Sequence, residues 1–240
     1  MNILVTGGAS GLGKSITEKL SNNKNYTIYF TFCNSKENAS KISSNFPNSK
    51  AIKCDFNDLK TVNSLCEMIP DLNLDVLINN AYSGDFITKH FNKIPVDVFT
   101  SDFTKNIVPT ILITQSVISY FKKIKKGKII TILTSTLINH STVGASSYIA
   151  NKAYLQSLTK SWAVENKKFN ITSNSISPSF MKTNLTSDID ERVVEQIINK
   201  HPLKKILKTT EVAETVAFLV NSSQQINGID LVINSAESIK

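Results

Sequence analysis

Short apolar runs recur along this chain, each followed by an amphipathic stretch, and that alternation leaves little choice of architecture. Residues 2–6 (NILVT), 26–32 (YTIYFTF), 51–54, 75–79 (DVLIN), 128–133 (KIITIL), 170–176 and 229–233 read as strands. Residues 11–20, 36–46, 58–69, 98–123, 146–166 and 211–220 read as helices, with Pro47 and Pro70 placed just beyond the second and third. Strands that are apolar on every side chain must be covered on both faces, which helices at both sides of a parallel sheet accomplish. Right-handed crossovers then predict an α/β, doubly wound parallel sheet. In such sheets ligands collect at the carboxyl ends of the strands, so chemistry is to be sought there.

Composition narrows the function. The chain has 240 residues, 41% hydrophobic and 19% charged, which suits a globular core and one domain over residues 1–240. Lysine and arginine outnumber the acids 27 to 19, for a net charge of +8. Arg192 is the lone arginine, and no basic patch is interleaved with aromatics, so nucleic acid is not an expected partner. The lysine-rich stretch 121–128 (FKKIKKGK) reads as a solvated helix end rather than a dock for an acidic partner. Cys33, Cys54 and Cys66 are odd in number and lack CxxC spacing, which predicts reduced thiols and a cytoplasmic setting. No run approaches the ~18 apolar residues of a membrane span, and the opening MNILVTGG has no charged region before a long apolar stretch, so no signal peptide is expected. His90, His140 and His201 have no metal-ligand spacing, so no metal is expected, and no Gly-x-Ser-x-Gly elbow exists for a hydrolase.

The strand ends carry the signal. Residues 6–13 read TGGASGLG, placing four of the eight glycines within seven residues, between a strand and a helix. Glycine allows a tight turn and close backbone approach, and the following helix directs free N–H groups at a phosphate. This predicts a dinucleotide-phosphate loop. An NAD site usually has an acid ~20 residues on, to hold the ribose hydroxyls. Here the second strand ends near Cys33, and the Asn34, Ser35 and Lys36 that follow are suited to donating to a ribose phosphate, which leans toward NADP over NAD. Asp55 ends the third strand, where a carboxylate can accept from an adenine amino group. Asn79 and Asn80 end the fourth, where buried amides also lock neighbouring strands. Tyr148 and Lys152 stand four apart on a predicted helix and share a face. A phenol ionises near ~10 and is a poor acid–base group at neutral pH unless a nearby ammonium lowers that value. Ser135 ends the fifth strand with Thr134 and Thr136 beside it, and its hydroxyl can bond a carbonyl.

Taken together these residues resemble the short-chain dehydrogenase/reductase family, over essentially the whole chain. The matching pieces are Thr6–Gly13, Asp55, Asn79-Asn80-Ala81, Asn106, Ser135, Tyr148-Ile149-Ala150-Asn151-Lys152, and Pro178 with Thr183. The resemblance implies a Rossmann-like sheet of about seven strands in the order 3-2-1-4-5-6-7, bound NADP or NAD, and a homo-oligomer, tetramer or dimer. It implies catalytic roles for four residues. Tyr148 is the acid in carbonyl reduction and the base in alcohol oxidation. Lys152 tunes Tyr148 and holds the nicotinamide ribose, Ser135 orients the carbonyl, and Asn106 holds a water of the proton relay. It implies cofactor contacts from Gly7, Ala9, Ser10, Gly11, Leu12, Gly13, Asn34, Ser35, Asp55, Phe56, Asn80, Ala81, Tyr148, Lys152, Pro178, Met181 and Thr183. The outline is that of 3-oxoacyl-(acyl carrier protein) reductases, which sugar and small-ketone reductases share; a non-catalytic NADP-sensing module is a further alternative. Three positions depart from the pattern. Tyr82 stands where the family has glycine after Asn-Asn-Ala, Ser179 follows Pro178 in place of glycine, and the last strand closes on Asn234-Ser235-Ala236. Substrate groups are expected from residues 82–91, 140–147 and 180–201, the last with helical character at 191–200.

Overall fold

A computed structural model describes residues 1–83, 89–138, 144–187 and 189–239. Seven parallel strands form one sheet: β1 (Asn2–Val5), β2 (Thr27–Phe32), β3 (Ser49–Lys53), β4 (Val76–Asn79), β5 (Gly127–Ile132), β6 (Ile171–Pro178) and β7 (Asp230–Ile233). Their order is β3-β2-β1-β4-β5-β6-β7, as expected. The helices are α1 (Gly11–Ser21), α2 (Lys36–Asn45), α3 (Leu59–Leu72), α4 (Val96–Ile124), α5 (Ser146–Asn166), α6 (Glu191–Lys200) and α7 (Thr209–Asn221).

Alternation along each strand builds two cores. Ile3, Val5, Ile28, Phe30, Val76, Ile78, Ile130 and Ile132 face α1, α2 and α7, where Ile16, Ile42 and Val216 meet them. Leu4, Leu77 and Ile129 face the other way, onto Val62 and Leu65 of α3, Val117 and Phe121 of α4, and Trp162 of α5. Each fully buried aliphatic side chain contributes about 1.5–3 kcal/mol. Gly127 opens β5 because Phe121 leaves no room: an added Cβ would stand 2.1 Å from its ring.

One expectation is corrected. Residues 58–69 were to end before Pro70, yet α3 runs through Pro70 to Leu72. Proline has no N–H for the carbonyl four residues back, that of Cys66. Ser116 of α4 supplies the missing donor, its hydroxyl donating to the Cys66 carbonyl at 3.1 Å. Asn73, in the left-handed conformation, then ends the helix.

The lysine stretch of residues 121–128 lies at the carboxyl end of α4, at the amino ends of β4 and β5. There Lys126 pairs with Asp75 at 2.7 Å. β1 and β4 are neighbours from which the chain departs to opposite sides, so a crevice opens at their carboxyl ends.

Candidate active site

The loop after β1 is shaped by the chain's own packing. Gly7 and Gly11 have positive φ (66° and 50°), which only glycine adopts cheaply. At Gly13 a Cβ would meet the Gly7 carbonyl oxygen at 2.0 Å, so α1 passes directly beneath the turn. Thr31 of β2 holds the loop from below, its hydroxyl accepting from the Gly7 N–H and its carbonyl from the Gly8 N–H, both at 2.8 Å. Thr6 ties it to β4. Its hydroxyl donates to the Ile78 carbonyl and accepts from the Asn80 and Ala81 N–H groups at 2.9 and 3.0 Å. The Asn80 amide donates back to the Thr6 and Gly7 carbonyls. Ala9 and Leu12 are buried in the core, and Ser10 begins α1 without its side chain capping the helix. The first N–H groups of α1 are therefore not taken by a cap, and the glycine turn leaves backbone, not side chain, facing the crevice. This donor set fits a dinucleotide diphosphate. Thr183 stands beside it, its Cβ 3.4 Å from where a Gly11 Cβ would be.

At the next strand ends, Asn34 is exposed and Ser35 begins α2 with its side chain uncapped. Asp55 accepts from the Asn57 N–H at 2.9 Å, and that bond holds its carboxyl below the usual range. The neighbouring Cys33 thiol also bonds Asp55 and is pushed up by burial. The Phe56 ring lies in the core beside Cys54, so only its backbone faces a ligand, and Met181 packs against the opposite core.

The chemistry concentrates where β5 and α5 meet. Tyr148 and Lys152 share one face of α5, and Lys152, 4% exposed, donates to the Ile132 carbonyl at 2.8 Å. Its ammonium lies 5.7 Å from the centre of the Tyr148 ring and 5.2 Å from that of Tyr82. Burial pulls the Lys152 ammonium down to about 8 and pushes the Tyr148 phenol up to about 12. The spacing predicted a lowered phenol; here desolvation by burial is the leading cause at both groups and moves the phenol the other way. The hydroxyl that bonds Tyr148 belongs to Thr134, one residue before Ser135. Ser135 opens a short 3-10 turn, Ser135–Leu137.

Asn106 of α4 is fully buried and clamps the segment after β4. Its Oδ1 accepts from the Ser83 N–H at 2.6 Å, and its Nδ2 donates to the carbonyls of Ser83 and Asp102. A water-holding amide was expected, but the Ser83 backbone takes both ends of it. Asp102, one turn earlier on α4, accepts from the Ser147 hydroxyl at 2.6 Å.

The sequence flagged Tyr82 only as a departure, and the structure brings it into the centre. Its ring meets Tyr148 edge-on with centroids 5.1 Å apart, and burial beside it pushes the Tyr82 phenol up. Nothing in the spacing of Tyr82 and Thr134 marks them as neighbours of Tyr148. Pro178 ends β6, and the buried Ser179 N–H donates to the Ile233 carbonyl at 2.8 Å. Residues 84–88 and 139–143, His140 among them, lie outside the described residues. Among the described residues no group of three His, Cys, Asp or Glu could hold a metal.

A family model described as "Enoyl-(Acyl carrier protein) reductase" matches residues 7–235. This chain belongs to the short-chain dehydrogenase/reductase family. It is an NAD(P)-dependent oxidoreductase. A curated relative, 3-oxoacyl-[acyl-carrier-protein] reductase FabG of Buchnera aphidicola, is 30% identical over 96% of this chain and 94% of its own. A 3-ketoacyl-(acyl-carrier-protein) reductase of Brucella melitensis, solved with NADH, superposes with a TM-score of 0.89. Its identity is 21%, over 99% of this chain and 98% of that one, which shows the shared fold. ElxO with NADP bound gives 0.87 at 26% identity, over 98% of both chains.

Proposed function

We propose that the chain is an NADP-preferring ketoreductase that reduces the 3-oxo group of an acyl thioester. The observation that carries this reading is the pairing of Tyr148 with the buried Lys152 at the carboxyl end of β5, with Thr134 beside Tyr148. The names of the curated relatives supply the substrate class. The nicotinamide, when bound, supplies the hydride. Tyr148 gives its proton to the carbonyl oxygen as negative charge develops there, and in oxidation takes it back. Lys152 steadies the phenolate and holds the nicotinamide ribose, while Ser135 orients the carbonyl. Asn34 and Ser35 receive the ribose phosphate, and Asp55 the adenine. Residues 1–240 act as one domain, in a reducing cytoplasm and as a homo-oligomer. The three free cysteines support the compartment. No helix among the described residues is long and apolar enough to cross a membrane.

The test is oxidation of NADPH and of NADH against 3-oxoacyl thioesters, 2-enoyl thioesters, keto-sugars and simple ketones. Fastest turnover with NADPH and a 3-oxoacyl thioester is expected. Turnover of keto-sugars or simple ketones alone would move the substrate class. Tyr148→Phe should lower turnover by about 10²–10⁴-fold, and an unaffected rate would refute the mechanism. The ring of Tyr82 over the pair favours one competing reading, a nucleotide-sensing module. Tight NADPH binding without turnover across the panel would select it.

A further inference from the structure

Tyr82 lies against both reacting groups at once. Its ring meets that of Tyr148 at 73° with centroids 5.1 Å apart, and takes the Lys152 ammonium at 5.2 Å from its centre. Asn106 fixes the neighbouring Ser83 backbone, so the segment carrying the ring is anchored to α4. Among the described residues the charged and titratable groups around it are Asp102 from α4, and Tyr148 and Lys152 from α5. An aromatic ring excludes water, which disfavours an ammonium, while its negative face attracts one. These two effects oppose each other at Lys152, where burial lowers the ammonium.

We infer that Tyr82 is a positioning residue whose ring, on a segment anchored by Asn106, keeps water from the Tyr148–Lys152 pair and so sets the pH range in which that pair transfers protons. The inference rests on the proposed reaction only for its effect on rate; the effect on Lys152 itself is independent of turnover.

Two readouts test it. The first follows the ε-carbon signal of Lys152 by NMR in the protein alone, assigned by its disappearance in Lys152→Met. Its midpoint should stay near about 8 in Tyr82→Phe, which keeps the ring, and rise by about one pH unit or more in Tyr82→Ala, which admits water. Tyr82→Leu keeps apolar cover without the ring's negative face and should move the midpoint down. It also serves as the informative variant if Tyr82→Ala does not fold. The second readout is the pH profile of kcat, whose limbs should move with the titration in Tyr82→Ala and stay in place in Tyr82→Phe. A Lys152 midpoint indifferent to all three substitutions overturns the inference. Undiminished turnover in Tyr148→Phe would instead overturn the proposed reaction, and leave the titration result standing.

Discussion

Lys152 carries an ammonium into a nearly dry site where no carboxylate among the described residues pairs with it, and that has a measurable cost. A fall from its ordinary 10.5 to about 8 corresponds to roughly 3 kcal/mol favouring the neutral amine in the folded chain. The sign follows from proton counts. Between about pH 8 and 10.5 the unfolded chain binds a proton that the folded chain has lost, so stability rises with pH across that window. Below about 8 both states hold the proton and the cost is constant. Lys152→Met removes the titrating group while keeping most of the volume. It also leaves the Ile132 carbonyl without its 2.8 Å donor, which costs about 1–3 kcal/mol and offsets part of the gain at neutral pH. The absolute change at pH 7 is therefore small, and the pH dependence is the discriminating quantity. Urea unfolding of both proteins from about pH 6.5 to 10 should show the native chain gaining on the variant by about 2–3 kcal/mol, all of it above about pH 8. Tyr148, raised from 10 to about 12, weakens the fold only as its window opens near the top of that range, and it is present in both proteins. Parallel stability curves would refute the claim that burial governs this lysine.

Three further outcomes are expected. Thr134→Val removes the hydroxyl bonded to Tyr148, so the phenol should ionise at still higher pH, seen as an alkaline displacement of tyrosinate absorbance that Ser135→Ala does not produce. Gly13→Ala sets a methyl 2.0 Å from the Gly7 oxygen, so it should destabilise by about 3 kcal/mol or more in chemical denaturation and abolish NADPH binding. Ser116→Ala leaves the Cys66 carbonyl without its donor and should cost about 1–2 kcal/mol by thermal unfolding, a penalty that shrinks when Pro70→Ala restores the backbone N–H.

Much of the fold was legible because the strands are apolar on both faces and each ends in a distinctive polar residue. Residues 2–6 and 75–79 were placed within a residue of β1 and β4. The strand order came from the family resemblance, not from periodicity. Pro70 was misread because its rescue comes from Ser116 on another helix, a contact no local pattern shows. The i,i+4 spacing brought Tyr148 and Lys152 together but said nothing of how far their surroundings desolvate them, so it does not give the direction of the phenol's shift. Tyr82 was visible as an oddity, yet its contact with Tyr148 and Lys152 joins two distant segments. Thr134 and Ser135 are adjacent at a strand end, where a one-residue change of direction decides which hydroxyl meets the phenol.

The single hydroxyl of Thr6 reaches β4 and two backbone N–H groups beyond it, at the point where the sheet's two halves wind apart. The crevice between those halves thus has a floor of set width. A descendant of this chain could not accommodate a bulkier ligand by spreading β1 from β4 without stranding three hydrogen bonds. New specificities would have to arise along the rim, in the segments after β4, β5 and β6, while the floor is inherited unchanged. Random mutagenesis selected for altered substrate use should therefore enrich changes at those rim segments and spare Thr6.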